Sequence, residues 1–265
     1  MTLLLSLTTR SLQSLLDPNA DPPRTLLDAP AFASSEFGLR GLSVDVDMLA
    51  GWSVEQLSTL RHRGDQAACP CLVLVDTEPL AMGSNDEATQ QAATQRLTRV
   101  ATAANRLGCN SVAVRVALTA DDTDEMDRAA QAIQDAMVAV ERLELNLLLV
   151  PGPGGTQSSD QLAELIKKVG GFRIGALPTY GDTAAAEDQL EHVRKLAPYA
   201  GAIHIRCEGF KRGGAHRGLD LAAGLQAAKS VGYQSNVAID YVGEGDPAKE
   251  IARAVEILQA AIDAE

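Results

Sequence analysis

The chain has 265 residues, 46% of them hydrophobic and 3% aromatic, with a formal net charge of −12 and a pI near 4.8. So acidic a chain presents an unfavourable field to nucleic acid and to anionic membrane surfaces, since binding to both rests on Lys and Arg. The length suits one α/β barrel, for which about 250 residues is typical, with a core packed by Leu, Val, Ile and Ala.

The first segment, MTLLLSLTTRSL, carries a short apolar run with no basic residue before it, unlike a secretory leader. No later stretch approaches the ~18 apolar residues of a membrane span, so a soluble, cytoplasmic protein is expected. Eight short apolar, β-branched runs follow one another along the chain: Leu3–Leu7, Leu42–Val46, Cys71–Val75, Ser111–Val116, Leu145–Val150, Arg173–Leu177, Ala202–Ile205 and Val237–Tyr241. Runs such as LNLLLV and CLVLVD are continuous rather than alternating, which is the pattern of parallel strands covered by helices on their outer face. Between them, helical spacing recurs over Glu87–Leu107, Thr123–Leu143, Ser158–Val169, Ala184–Leu196, Leu219–Val231 and Pro247–Ala264. Ser158 to Asp160 offers an N-cap and Gly170-Gly171 a C-terminal stop. The stretch from Asp17 to Pro30 holds four of the 11 prolines and reads as a surface loop. Eight strand–helix units averaging about 33 residues predict one closed (β/α)8 barrel spanning residues 1–265.

The four cysteines, Cys69, Cys71, Cys109 and Cys207, show neither a CxxC pair nor zinc spacing, and read as free core thiols. In such a barrel the chemistry sits at the carboxyl ends of the strands. That places under consideration Thr8 and Arg10 after the first strand, Asp45 and Asp47 on the second, Asp76 and Glu78 after the third and Arg115 on the fourth. Further on come Pro151 to Gly155, then Thr179, Tyr180 and Asp182, then His204, Arg206 and Glu208, and finally Asp240 and Glu244. Arg115 and Arg206 stand late in apolar strands, where a charge needs either a carboxylate partner or an anionic ligand. Asp76 and Glu78 suit a loop-capping role as well as a ligand contact. The Pro-Gly-Pro-Gly-Gly run at 151–155 reads as a rigid βα turn, because it lacks the P-loop ending and the GxGxxG spacing. The segment from Lys211 to Arg217 reads as a basic surface loop, with a lid over an anionic ligand as the alternative.

The segments CLVLVDTEP, LGCNSVAV, VPGPGGTQSSDQLAELIKKVGGFRIGALPTYGD, GAIHIRCEGF and GYQSNVAIDYVGEG follow an order and spacing that resembles the sugar phosphate isomerase/epimerase family, the xylose isomerase-like TIM barrels. The likeness runs from about Phe37 to the C-terminus and is strongest from Leu145 onward. The resemblance implies an isomerase or epimerase moving a proton on a small polyhydroxylated substrate, a sugar or sugar phosphate. It also implies a divalent metal held by a Glu, an Asp, a His and a second Glu from strands five to eight. Here those positions carry Pro151 in place of the first Glu and Thr179 (or Pro178) in place of the Asp. His204 is retained, and Asp240 stands for the last Glu. Two of four ligands are thus missing and one is shortened, so a degenerate metal site is expected. Asp182 and Glu208 are the nearby carboxylates: Asp182 is the one able to join His204 and Asp240 around an ion if one is held. By this resemblance His204 and Asp240 are the catalytic candidates, with Arg115, Arg206, Glu208, Asp76 and Glu78 as candidate substrate contacts. The missing ligands keep open a second expectation, a non-catalytic member that binds a carbohydrate or a protein partner. A DNA-repair endonuclease on the same scaffold would look for many His ligands, and this chain has four histidines in all.

Overall fold

The computed structural model describes residues 3–17, 19, 24–119, 122–152, 154–181 and 188–264. Nine parallel strands form one sheet: β1 Leu4–Thr8, β2 Leu42–Asp45, β3 Cys71–Leu80, β4 Ser111–Val116, β5 Asn146–Val150, β6 Ile174–Ala176, β7 Thr179–Tyr180, β8 Ala202–Cys207 and β9 Asn236–Tyr241. Their spatial order is β6-β5-β4-β3-β2-β1-β9-β8-β7. The two ends of this order, β6 and β7, are separated by Leu177 and Pro178 alone. They are the two halves of the sixth barrel strand, the first pairing with β5 and the second with β8, so the sheet closes into an eight-stranded barrel. Pro178 has no N–H to donate to a ladder, which accounts for the break. Its carbonyl still accepts from His204 N at 3.0 Å and carries the pairing across the gap.

Among the described residues eight α-helices cover the barrel: α1 Ala29–Phe37, α2 Val54–Gln66, α3 Glu87–Leu107, α4 Thr123–Arg142, α5 Ser159–Val169, α6 Gln189–Leu196, α7 Leu221–Ser230 and α8 Pro247–Asp263. Five of the six helices expected from spacing form within two residues of their expected bounds. In the sixth the described part begins at Gln189, with Asp188 as its N-cap and residues 184–187 outside the described set. The Ser158 hydroxyl accepts from Gln161 N, and Gly170 ends α5, as its sequence requires. The expected loop from Asp17 to Pro30 is corrected at its far end. Leu26–Asp28 form a 3-10 turn capped by Thr25, and Pro30 lies in the first turn of α1, where its missing N–H costs nothing. No described helix is long and apolar enough to cross a membrane. All four cysteines are free and buried.

Alternation along the strands divides the buried residues into two cores. Leu7, Leu42, Leu74, Val112, Val114, Leu147 and Leu149 pack outward against the helices. A separate cluster of Val73, Val75, Ala113, Leu148, Val150 and Leu177, with Ala202 at the start of β8, fills one half of the barrel interior, chiefly under β3 to β6. The opposite half, from β8, β9, β1 and β2, is polar. Its members Ser6, Thr8, Ser43, Asp45, His204, Asn236 and Asp240 are all less than 9% exposed. Deep in the barrel the Ser6 hydroxyl donates to Asn236 Oδ1 at 2.6 Å. The interior is therefore two-faced, and the site lies where both faces reach the carboxyl end of the sheet.

Candidate functional site

A cavity of about 70 Å³ opens at that end, lined by residues from all eight barrel strands, with Arg10 just past β1. Its polar wall begins with β1. The Thr8 hydroxyl donates to Asp240 Oδ1 at 3.0 Å and also meets the Ser11 hydroxyl at 2.7 Å. Thr9 Oγ1 donates to Asp45 Oδ2 at 3.3 Å, Arg10 N donates to the same oxygen at 3.2 Å, and Arg10 Nη2 pairs with Asp45 Oδ1 at 2.7 Å. Asp45 is thus fully committed. Burial pushes its pKa up, against the pull of the Arg10 guanidinium.

His204 stands on β8 beside Asp240 of β9, and its Nε2 lies 3.0 Å from Ser43 Oγ. Burial holds its imidazole below the usual range, over the opposing attraction of Asp240 and Asp45. The resident form at neutral pH is a neutral ring. Asp240 is 8% exposed, and Thr8 is its one hydrogen-bonding partner among the described residues, leaving a carboxylate oxygen for a ligand. A neutral imidazole that bridges protons and a carboxylate that accepts them therefore share one wall, which is the equipment for moving a carbon-bound proton next to a carbonyl.

The arginines complete the mouth. Arg206, paired in register with Asp240, lines it above His204. Arg115 projects from the other, apolar half, among Val75, Val150 and Leu177. It is half-buried, its Nε is fully buried, and it makes no hydrogen bond or ion pair among the described residues. Gly152 lies beneath its stem: a Cβ there would stand 2.6 Å from Arg115 Cδ and 2.7 Å from Cγ.

Several residues singled out in the sequence lie elsewhere. Asp76 points away from the cavity and receives Arg96 Nε at 2.7 Å and Nη2 at 3.0 Å, while Glu78 pairs with Arg96 Nη1 at 2.6 Å. Neither lines the mouth, because on β3 it is Val75 and Thr77 that face inward. These two carboxylates tie the end of β3 to α3 through Arg96, in keeping with the loop-capping role. Glu208 also stays outside the cavity lining, in the turn after β8, where its backbone N donates to His216 Nε2 at 2.9 Å. Asp182 lies outside the described residues. The segment from Lys211 to Arg217 is pinned to its surroundings: Lys211 N donates to Ala215 O at 2.8 Å, and Arg253 Nη2 of α8 donates to Gly214 O at 3.0 Å. Gly154 and Gly155 press against the backbone of Leu118 and Thr119, and Gly155 N donates to Leu118 O at 2.8 Å, in keeping with the turn expected there, of which residue 153 lies outside the described set. The sequence reading missed Ser43. Counting two residues back from Asp45 on a strand would have placed it on the inner face.

The profile of the xylose isomerase-like TIM barrel family matches residues 32–261. No curated protein matches the sequence. Among solved structures, the fold is similar to an L-ribulose 3-epimerase, at 15% identity and a TM-score of 0.80, covering 99% of this chain and 95% of the other. It is also similar to a D-psicose 3-epimerase with D-tagatose from Clostridium cellulolyticum H10, at 15% identity and a TM-score of 0.73, covering 99% and 97%. A third likeness is to the IOLI protein with a bound zinc atom, at 15% identity and a TM-score of 0.69, covering 98% and 96%.

Proposed function

Since the chain belongs to the xylose isomerase-like TIM barrel family, we propose that it is a sugar isomerase or epimerase, one barrel over residues 1–265, working by proton transfer at the barrel mouth. The observation that carries this reading is the shared wall of His204 and Asp240, a neutral imidazole beside a carboxylate with an oxygen to spare. The epimerases of similar fold act on sugars by their names, which supports a polyhydroxylated carbonyl compound as substrate.

In the mechanism, Asp240 removes the proton from the carbon next to the substrate carbonyl. The C–H electron pair moves into the carbon skeleton, giving an enediolate and a protonated Asp240. His204 stays neutral and hydrogen-bonds the carbonyl oxygen, on which negative charge develops. Asp240 then returns the proton to the former carbonyl carbon, while the proton of the neighbouring hydroxyl passes to the former carbonyl oxygen and a new carbonyl forms on the first carbon, so the reaction ends with the enzyme as it began. Thr8 holds Asp240 in position, and Ser43 fixes the orientation of the imidazole. The cavity of about 70 Å³ is much smaller than the ~300 Å³ or more of an ordinary ligand pocket, so a sugar enters only with displacement of the arginine side chains at the rim.

The test is incorporation of solvent deuterium into D-ribulose, D-fructose and their phosphates, followed by proton NMR in D2O. The expected result is exchange at a carbon adjacent to the carbonyl, reduced at least ~100-fold in Asp240→Asn and clearly reduced in His204→Gln. Exchange that persists unchanged in both variants contradicts the assignment. The lack of family metal carboxylates favours a second reading, a carbohydrate-binding member without turnover, for which a sugar binds with no exchange at all.

A further inference from the structure

We propose that the barrel mouth takes an anionic sugar derivative, carrying a carboxylate or a phosphate, on the guanidinium of Arg115, and that it does so without a divalent metal ion. This rests on the reading of the mouth as a sugar site and narrows the class of its substrate.

The described residues do not fit the metal that the family resemblance implies. Where the first two carboxylate ligands belong, the chain has Pro151 just after β5 and Thr179 on β7 (or Pro178 before it). Of the remaining donors, His204 Nε2 is engaged by Ser43 and one oxygen of Asp240 by Thr8. Asp45 is bound to Arg10. Among the described residues no three His, Cys, Asp or Glu side chains converge as metal ligands. What lies over the end of β5 is instead the stem of Arg115, crossing the very place where a side chain at 152 would begin. A guanidinium there repels a divalent cation, and the positive charge of the mouth comes from the protein.

Among the described residues Arg115 also lacks the partner that its position demands. It shares the cavity wall with Val75, Val150 and Leu177, no described carboxylate pairs with it, and its buried Nε has no acceptor among them. Arg10 at the same rim shows the alternative, an ion pair with Asp45 at 2.7 Å. A half-buried cation whose buried Nε lacks an acceptor is a cost to the fold. Its presence is explained when a ligand brings the acceptor, and a planar guanidinium fork matches the oxygens of a carboxylate or phosphate through two parallel hydrogen bonds. A neutral sugar hydroxyl does not balance the charge. Asp240 and His204 on the opposite wall then meet the carbon skeleton of the same ligand.

The test uses full-length protein treated with EDTA, titrated calorimetrically with D-fructose, D-fructose 6-phosphate and D-gluconate. At least one of the two anions is expected to bind about tenfold or more tightly than D-fructose, and the better of the two identifies the group recognised, phosphate or carboxylate. Arg115→Met is expected to remove that preference and Arg115→Lys to keep part of it, with circular dichroism showing that both variants are folded. Equal affinity for D-fructose and both anions, or an unchanged preference in Arg115→Met, overturns the inference while leaving the sugar reading in place. Binding that appears only when Mn²⁺ is restored also overturns it. Failure of all three compounds to bind, with or without Mn²⁺, overturns the sugar reading and this inference with it.

Discussion

Arg115 follows Val114 and precedes Val116 on β4, and its guanidinium sits in the apolar half of the interior with no acceptor among the described residues. A charge kept in such surroundings for a ligand is a local cost to stability, so Arg115→Met is expected to stabilise the protein by about 1 kcal/mol, read as a rise in Tm by calorimetry. A fall in Tm contradicts the account of Arg115 as unpartnered. His204 yields a second expectation. Burial holds its folded-state pKa below the unfolded value of about 6.5, so the unfolded chain binds the proton more readily. The stability contributed by the neutral ring is present above about pH 6.5 and is lost as pH falls below it. Asp45 works the other way, since burial raises its pKa and the stability linked to its protonated form is lost as pH rises through that value. Asp240, Asp45 and Arg10 are the charged groups whose fields act on the ring, and none of them is altered by His204→Gln. Urea denaturation between pH 7 and pH 5 should therefore show a loss of stability in the wild type that is smaller in His204→Gln.

The strands and their turns show how much of this molecule can be read before folding. Continuous apolar runs such as LNLLLV located all eight barrel strands, because a strand buried on both faces has little choice of residue. The short helices α1 and α2 were not legible: α2 spreads its buried Leu57, Leu60 and Gly64 thinly among polar residues, and α1 follows a proline-rich stretch. The site was legible in part. His204, Asp240, Arg115 and Arg206 do converge on one cavity, because each stands late on its strand at an inward position. Asp76 and Glu78 do not, because inward and outward positions alternate and a single residue of register sends Asp76 to α3 and Arg96. Ser43 carries no charge to draw notice, and its place beside His204 depends on contact between β2 and β8 across the barrel, which no local pattern records. The glycines after β5 were visible as a run, but the reason for them is tertiary. Gly154 has φ +86° and presses on the Leu118 carbonyl, so Gly154→Ala is expected to cost about 1–3 kcal/mol in chemical denaturation, with Gly213→Ala, which meets nothing within 4 Å, as a near-neutral control.

Closure of the barrel is what brings the two faces of the interior together. Strands from residue 4 to residue 241 join one sheet, and its ends meet on either side of Leu177-Pro178, so the polar wall built by β8, β9, β1 and β2 looks across a narrow space at the apolar wall of β3 to β6. The helices packed on the outside of the closed barrel bury every thiol. Burial pushes Cys69 and Cys71 up to about 12 and Cys207 to about 11, and raises Cys109 well above its ordinary value. DTNB is accordingly expected to label no thiol in the native protein and all four in guanidinium, and rapid native labelling contradicts the packing described. The apposition of a proton-moving wall and an arginine-bearing wall is the central claim, and crystals grown with both Mn²⁺ and D-fructose 6-phosphate test it most directly. The account predicts the phosphate within hydrogen-bonding distance of the Arg115 guanidinium, the sugar carbons against Asp240 and His204, and no metal between those two residues. A manganese ion coordinated jointly by His204 and Asp240, with Arg115 turned away from the ligand, is the result that contradicts it.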